Sequence, residues 1–334
     1  MHKGIIQKEG YTGKNAHRLI RTMTLLVRSL ESITLPELRA MLTKLAGEVI
    51  NMVQEFVTYS GVRDASLQFF SRMIISLGAD ILGDVKKLLR IVLVNLDVST
   101  FIQVVQMTNL IMQSLKETAV SFVDEMLPFL LNSAINMGLP AEAISDIQKT
   151  HMDAINILLK LVRAISTNKC AVFFKLSLEQ FNSLITLLHN CSQSDIEDIR
   201  KNGASTMLHL LTSSLGLAIN GDKVIAATKG ATPEVGSEYA ASLVKGALDC
   251  AFLPLRMLNA KNPTDMQCVQ DIGTLHYLLY KTVHEQFMAK LLVWSTDNTY
   301  IESMKQGLEN ASSTETTKQY KELLKQIIGK INKQ

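Results

Sequence analysis

The side chains in this chain best placed to do chemistry are its cations. On a helical wheel of 100° per residue, Lys14, Arg18, Arg21 and Arg28 fall within about 80° of one another. Leu19, Ile20, Met23, Leu26, Val27 and Leu30 take the other side. Four cations along roughly 20 Å of helix suit a nucleic-acid backbone, because neutralising phosphates releases counterions and supplies sequence-independent affinity. The same pattern also fits a solvated face or an ion-pair surface toward a preceding repeat. A second stripe, Lys318, Lys321 and Lys325, lies opposite Leu323, Leu324, Ile327 and Ile331. It fits a phosphate contact or a capping helix with a polar outer face. No motif with interleaved aromatics accompanies either stripe, so an RNA contact here would read shape and backbone rather than bases.

Catalytic constellations are missing from the sequence. GYTGKN (10–15) has neither the spacing of a Walker loop nor its Ser/Thr. There is no GxGxxG, GxSxG or HExxH. His209, alone on an apolar helix, reads as a satisfied core residue, and His276 and His284 have no cysteine near them in sequence. Asp195, Glu197 and Asp198 cluster at a helix start, where acids favour the dipole and Ser194 or Asp195 serves as cap. The sequence therefore points to a binding protein, not an enzyme, with no cofactor and no metal.

The elements that must carry the cations are helices. Of 334 residues, 47% are apolar, while only 6 are proline and 17 glycine, which favours helices packed on helices over a turn-rich sheet fold. The net charge of +3 excludes a bulk polyanion binder, but residues 1–28 hold six Lys/Arg against one Glu, and 318–334 five Lys against one Glu. Cys170, Cys191, Cys250 and Cys268 form no CxxC pair and read as reduced and buried in an intracellular protein. The N-terminus has no apolar core of a secretory signal. Residues 202–221 lack Asp, Glu, Lys and Arg but are crowded with Ser, Thr, Asn and His, which suits a buried helix and no membrane insertion.

VRDASLQFFSRMIISLG (62–78) shows the recurring unit. Val62, Leu67, Phe69, Phe70, Met73, Ile74 and Leu77 share an arc of about 140°, and Gly78 closes the helix. Similar helices stand at 17–31, 99–116, 150–167, 199–216 and 269–285. Four end in Ser-Leu, at Ser29, Ser76, Ser114 and Ser214, and each is followed by a second apolar helix. Pro128 and Pro254 fall inside second helices, where they are expected to kink them. The spacing approaches the roughly 40–47 residues of HEAT and armadillo units. The expectation is an all-α fold: a right-handed α-solenoid of about six HEAT-type helix pairs, an armadillo-like superhelix. The repeats run near 14–59, 62–96, 98–138, 147–191, 195–260 and 263–310. A glycine-rich loop at 217–236 interrupts them, and a basic helix at 314–333 ends them.

The blocks DASLQFFSRMIISLGADILGDVKKLLRIVLVN, SFVDEMLPFLLNSAI, the run from IRKNGASTMLHLLTSSLG to LHYLLYKTV, and TTKQYKELLKQII resemble the C-terminal third of the exportin-T family, the tRNA-export branch of the karyopherins. The resemblance spans roughly 60–325, with Ser71 standing where that family has proline. It implies a tRNA nuclear export receptor that binds tRNA together with Ran-GTP on a concave solenoid surface. The main Ran-binding arch would lie in repeats outside this chain. It further implies contact with nuclear pore proteins and shuttling between nucleus and cytoplasm. The alternatives are a karyopherin with protein cargo and a general HEAT-repeat scaffold. No tRNA-contact residues carry over from the family, so Lys14, Arg18, Arg21, Arg28, Lys318, Lys321 and Lys325 are candidates on charge geometry alone.

Overall fold

Helix boundaries follow local chemistry. Proline stands at the start of α2 (Pro36–Glu55) and α11 (Pro263–Thr282), where its missing N–H costs nothing. Asp97 accepts the Thr100 N–H to start α5 (Val98–Leu115), and a reciprocal Ser177–Gln180 capping box starts α8 (Leu178–Ser192). Gly78 ends α3 (Ser60–Leu77) at φ 65°, a backbone state that costs glycine little. Lys116 holds the corresponding place after α5 at φ 46°. α9 (Glu197–Ser214) begins at Glu197 without a side-chain cap. Ser194 Oγ accepts from the Ile196 N–H, while Glu197 and Asp198 sit in the first turn and Asp195 caps nothing.

The computed structural model describes residues 2–28, 30, 35–137, 149–215, 217–220, 223–226, 236–259, 261–311 and 314–331. Within them the fold is all-α apart from one small ribbon. The remaining helices are α1 (His2–Arg28), α4 (Leu82–Val92), α6 (Val120–Asn136), α7 (Lys149–Lys169), α10 (Ser237–Phe252), α12 (His284–Trp294), α13 (Asn298–Glu309) and α14 (Thr314–Ile331). Ser29, the inter-repeat loop at 138–146 and the end of the basic helix past 331 lie outside the described residues, as does the Cys170 side chain.

Two expectations are corrected. The 217–236 loop contains a hairpin: β1 (Leu217–Asn220) pairs antiparallel with β2 (Lys223–Ala226), with Asn220 opposite Lys223. The Asn-Gly-Asp sequence between two short apolar runs is a hairpin signal. Residues 227–235 lie outside the description. Pro254 does not kink a second helix, because α10 ends at Phe252 and Pro254 opens a short 3-10 turn instead. Pro128 does lie inside α6.

The chain divides into two compact units, Met1–Met137 and Gly138–Gln334. In the first, α1, α3 and α5 pack side by side in one row, and α2 and α4 pack in a second. In the other unit one row is α7, α9, α11 and α14, with α8, α10 and α12 behind it. α3 is the central helix of its unit. Phe69 and Phe70 are both 0% exposed and meet edge to face at 5.4 Å, so this pair packs the core as the periodicity requires. Residues 60–92 are long and apolar enough, by length and composition, to cross a membrane, but Gly78 divides them into two helices whose apolar side chains are largely buried in the stack.

Neighbouring helices of a row are tied by a repeated clamp. Arg63, fourth residue of α3, donates to the Val57 carbonyl six residues back and to Asp97 at the start of α5. Arg200, fourth residue of α9, donates to the Ser194 carbonyl six residues back and to Asp265 in the first turn of α11. Both arginines are buried, and in both the Nε–H has no partner. Arg39, fourth residue of α2, instead reaches forward only, to the Leu77 carbonyl and to Asp80 ahead of α4. Because a guanidinium presents donors in a rigid fork, Arg63 and Arg200 each fix both the entry of their own helix and the start of the next helix in the row.

Candidate functional site

The arginines divide by occupation. Of ten in the chain, Arg39, Arg63, Arg90 and Arg200 bind carboxylates, Arg163 binds Ser205, and Arg256 binds the Trp294 carbonyl. Arg18, Arg21, Arg28 and Arg72 have no hydrogen-bond or ion-pair partner for their side chains among the described residues. All four belong to α1 or α3 of the first unit.

Three of them line one groove of about 600 Å³ that runs over α3 between α1 and α5. Arg21 and Arg28 come from α1 and Arg72 from α3, while Gln68, Gln103 and Gln106 add amides. Leu25 (65% exposed) and Ile75 (50%) form an apolar edge. Among the described residues no carboxylate lines the groove. The acid nearest in sequence to this part of α3, Asp64, accepts from Gln103 Nε2 at 2.8 Å. The groove thus combines fixed positive charge with neutral donors and acceptors, the inventory of a phosphate-bearing ligand's site.

The helix periodicity of α1 explains which cations reach this groove. Ala16, Ile20 and Val27 turn toward α3, and Gly13 packs against the Tyr59 ring. Arg21 and Arg28, two turns apart, then point along the groove edge, while Lys14 and Arg18 stay exposed elsewhere on α1. The apolar side is narrower than expected: Leu19 and Leu26 are exposed rather than buried. Arg72, Gln68, Gln103 and Gln106 were not among the sequence candidates. Their signal was the polar side of the α3 and α5 wheels, legible only once neighbouring helices were known to share a face.

In the second unit the candidate lysines are less free. Lys318 is exposed, Lys325 pairs with Glu322, and Lys321 is half-buried with Asp271 nearby. Burial pushes the Lys321 ammonium down from its ordinary range, while Asp271 pulls it up. His209 is half-buried on this polar face, not in the core, with its ring Nδ1 2.8 Å from the Ser205 carbonyl. The two lysine- and arginine-bearing stripes belong to different units.

Cys191, Cys250 and Cys268 are free and buried, and burial first, then neighbouring charge, pushes the Cys268 thiol up to about 12. Among the described residues no group of three or more His, Cys, Asp or Glu side chains is arranged to hold a metal. No family model matches the chain, and no curated protein matches it.

Proposed function

We propose that the chain is a segment of HEAT-type α-solenoid that binds tRNA through the groove over α3, as the C-terminal part of a nuclear export receptor acting with Ran-GTP. The observation that carries the binding is the gathering of three unpartnered arginines around one groove, with no carboxylate among its described lining residues. A protein that uses arginine mainly to tie its helices together has left three uncompensated around one groove, and desolvating a phosphate there needs no existing pair to be broken. The repeated Arg–Asp clamps and the side-by-side rows support the repeat reading. The resemblance of the quoted blocks to the exportin-T family supports tRNA as the polyanion, with export through the nuclear pore as its setting.

The test is titration of labelled tRNA at several salt concentrations. Wild type is expected to bind with a log–log salt slope of about −2 to −4, near −0.7 to −0.9 per phosphate neutralised. Arg21→Glu/Arg72→Glu should weaken binding at least tenfold at low salt and flatten the slope. Equal binding by both proteins would remove the groove from the site, and no binding by wild type at low salt would remove RNA contact by this chain.

A second reading, a scaffold for a protein partner, is favoured by a different groove of about 480 Å³ between α10 and α12. Ala240, Val244 and Val283 line it, with Lys245 at its edge. Capture of a folded protein with shallow salt dependence, and no tRNA binding, would favour that reading.

A further inference from the structure

The Arg–Asp clamps give a common frame for the two units. The offset of 137 residues that brings Arg63 onto Arg200 also brings Gln68 onto Ser205 and Arg72 onto His209. The offset of 168 that brings Asp97 onto Asp265 brings Gln103 onto Asp271. Where the first unit has an amide at Gln103, the second has a carboxylate. The amide is thus a property of the groove over α3 and not of the frame.

The polar side chains of that groove sort by what they have left to give. Arg21, Arg28 and Arg72 can only donate. Thr24 donates its hydroxyl to the Ile20 carbonyl at 2.8 Å, and Ser71 donates to the Leu67 carbonyl at 2.8 Å. Both hydrogens are spent within their own helices, so toward a ligand each residue offers an oxygen that accepts. Gln103 is set in the same way by a partner one helix away. Its Nε2 lies 2.8 Å from Asp64 Oδ1. A carboxylate only accepts, so the nitrogen of this amide must be the atom that faces Asp64. The Oε1 of Gln103, which lines the groove half-buried, accepts no hydrogen bond from the described residues. Gln68 and Gln106 have no partner among the described residues that holds their amides in one orientation.

A phosphodiester by itself has acceptors only. It satisfies the arginines and leaves Thr24, Ser71 and Gln103 without a donor. A ligand that satisfies both sets carries an anion with a hydroxyl beside it, as the ribose phosphate of RNA does through its 2′-hydroxyl. We propose that Gln103, oriented by Asp64, is a specificity-determining residue that accepts from a ribose 2′-hydroxyl, so that the groove selects RNA over a phosphodiester chain lacking this donor. The proposal rests on the reading of the groove as the RNA site and adds to it a choice of sugar. Asp64 is a positioning residue, since it touches the amide and not the ligand. An acceptor withdrawn from water without a donor is costly, which is how a site built around a hydroxyl rejects an analogue that lacks it.

The experiment uses the full chain and one hairpin sequence in two forms. One is RNA; in the other fluorine replaces every 2′-hydroxyl, which keeps the A-form helix and its phosphates and removes the donor. Wild type is expected to bind the RNA form about fivefold more tightly. Gln103→Met, of similar length but without a strong acceptor, should bring the two forms within about twofold by weakening RNA alone. Asp64→Asn supplies a readout that a merely structural role would not give. An amide at position 64 can donate to Gln103 Oε1, so the Gln103 amide turns, while a negative charge is lost. Both forms should then bind at least as tightly as to wild type, with the preference reduced to within about twofold. Equal affinity of wild type for the two forms would overturn the proposal with no variant needed. Full preference retained by Gln103→Met or by Asp64→Asn, each shown to be folded by circular dichroism, would overturn it as well. Failure of the underlying reading looks different. Arg21→Glu/Arg72→Glu would then leave the affinity for both forms unchanged, which removes groove and sugar choice together, whereas failure of Gln103 alone keeps the loss in that variant and removes only the preference.

Discussion

Helices α3 and α9 stand on the same frame and differ in the polar residues beside them. Each packs between two neighbouring helices of its own row. Each of these middle helices is anchored by an arginine in its fourth position that reaches six residues back and forward to the next helix of the row. Over α3 the cations are unpaired and the polar neighbours are amides. At the corresponding positions of α9 and α11 stand Ser205, His209 and Asp271. The residues that hold the helices together are alike in both places, and the residues free of that duty have diverged. Function is to be sought in the second set.

That division predicts where substitutions hurt. The largest effect is expected at Phe70, fully buried in the first unit, and at Met207, which the clamp frame places at the same position of α9 and which is also fully buried. Phe70→Ala should cost ~3–5 kcal/mol and Met207→Ala ~2–5 kcal/mol, read from urea unfolding. A loss below ~1 kcal/mol at Phe70 would mean that α3 is not the centre of its unit.

The clamps themselves differ in depth, which sharpens the comparison. Arg200 and Asp265 are both nearly fully buried and meet at 2.6 Å, and Asp265 also accepts from the Asn259 N–H. Asp97 keeps 47% of its side chain exposed. Removing one partner of a buried pair strands the other without water, at ~3–5 kcal/mol. An exposed carboxylate is rehydrated instead. Arg200→Ala is therefore expected to cost more than Arg63→Ala, whose loss should be nearer 1–2 kcal/mol, mainly from the abandoned Val57 carbonyl. Equal losses would show that burial of the acid is not what sets the clamp's worth.

The sequence disclosed the rows and hid the frame. Spacing of apolar residues placed α3, its Phe pair and its closing Gly78, because a helix wedged between neighbours must be apolar over a wide arc. Arg21 and Arg28 were legible for the converse reason, as cations off that arc. The clamps were not, since Arg200 and Asp265 stand 65 residues apart and nothing local marks them as partners. Arg72 was passed over for a related reason. A single exposed arginine on a polar helix side means little until α1 brings two more beside it. His209 was misread as core because its own helix is apolar, whereas its surroundings are set by Asp271 from α11.

A titration separates the units by acid. The frame that pairs Asp97 with Asp265 places His276 where the first unit has Thr108, a buried hydroxyl bonded to the Val104 carbonyl. His276 is fully buried, stacked on Phe252, with its Nε2 2.8 Å from the Ala251 carbonyl and its Nδ1 2.6 Å from the Tyr320 hydroxyl. The carbonyl fixes the proton on Nε2, so Tyr320 donates to Nδ1. Burial pushes the imidazole down to about 4, only partly countered by the Ala251 bond. The unfolded chain, with histidine near 6.5, then binds the extra proton over the window from 6.5 to about 4, so acid favours unfolding there. The stabilisation held above 6.5 falls by roughly 3 kcal/mol as pH drops to 4. Asp271, whose carboxyl is raised, contributes with the opposite sign, so the His276 contribution is isolated as the difference between wild type and His276→Gln. Trp294, the single tryptophan and 6 Å from Phe252, reports unfolding of the second unit by fluorescence. Wild-type stability should fall between pH 6.5 and 4 relative to His276→Gln, and parallel curves across that window would show that His276 is not held neutral by its burial.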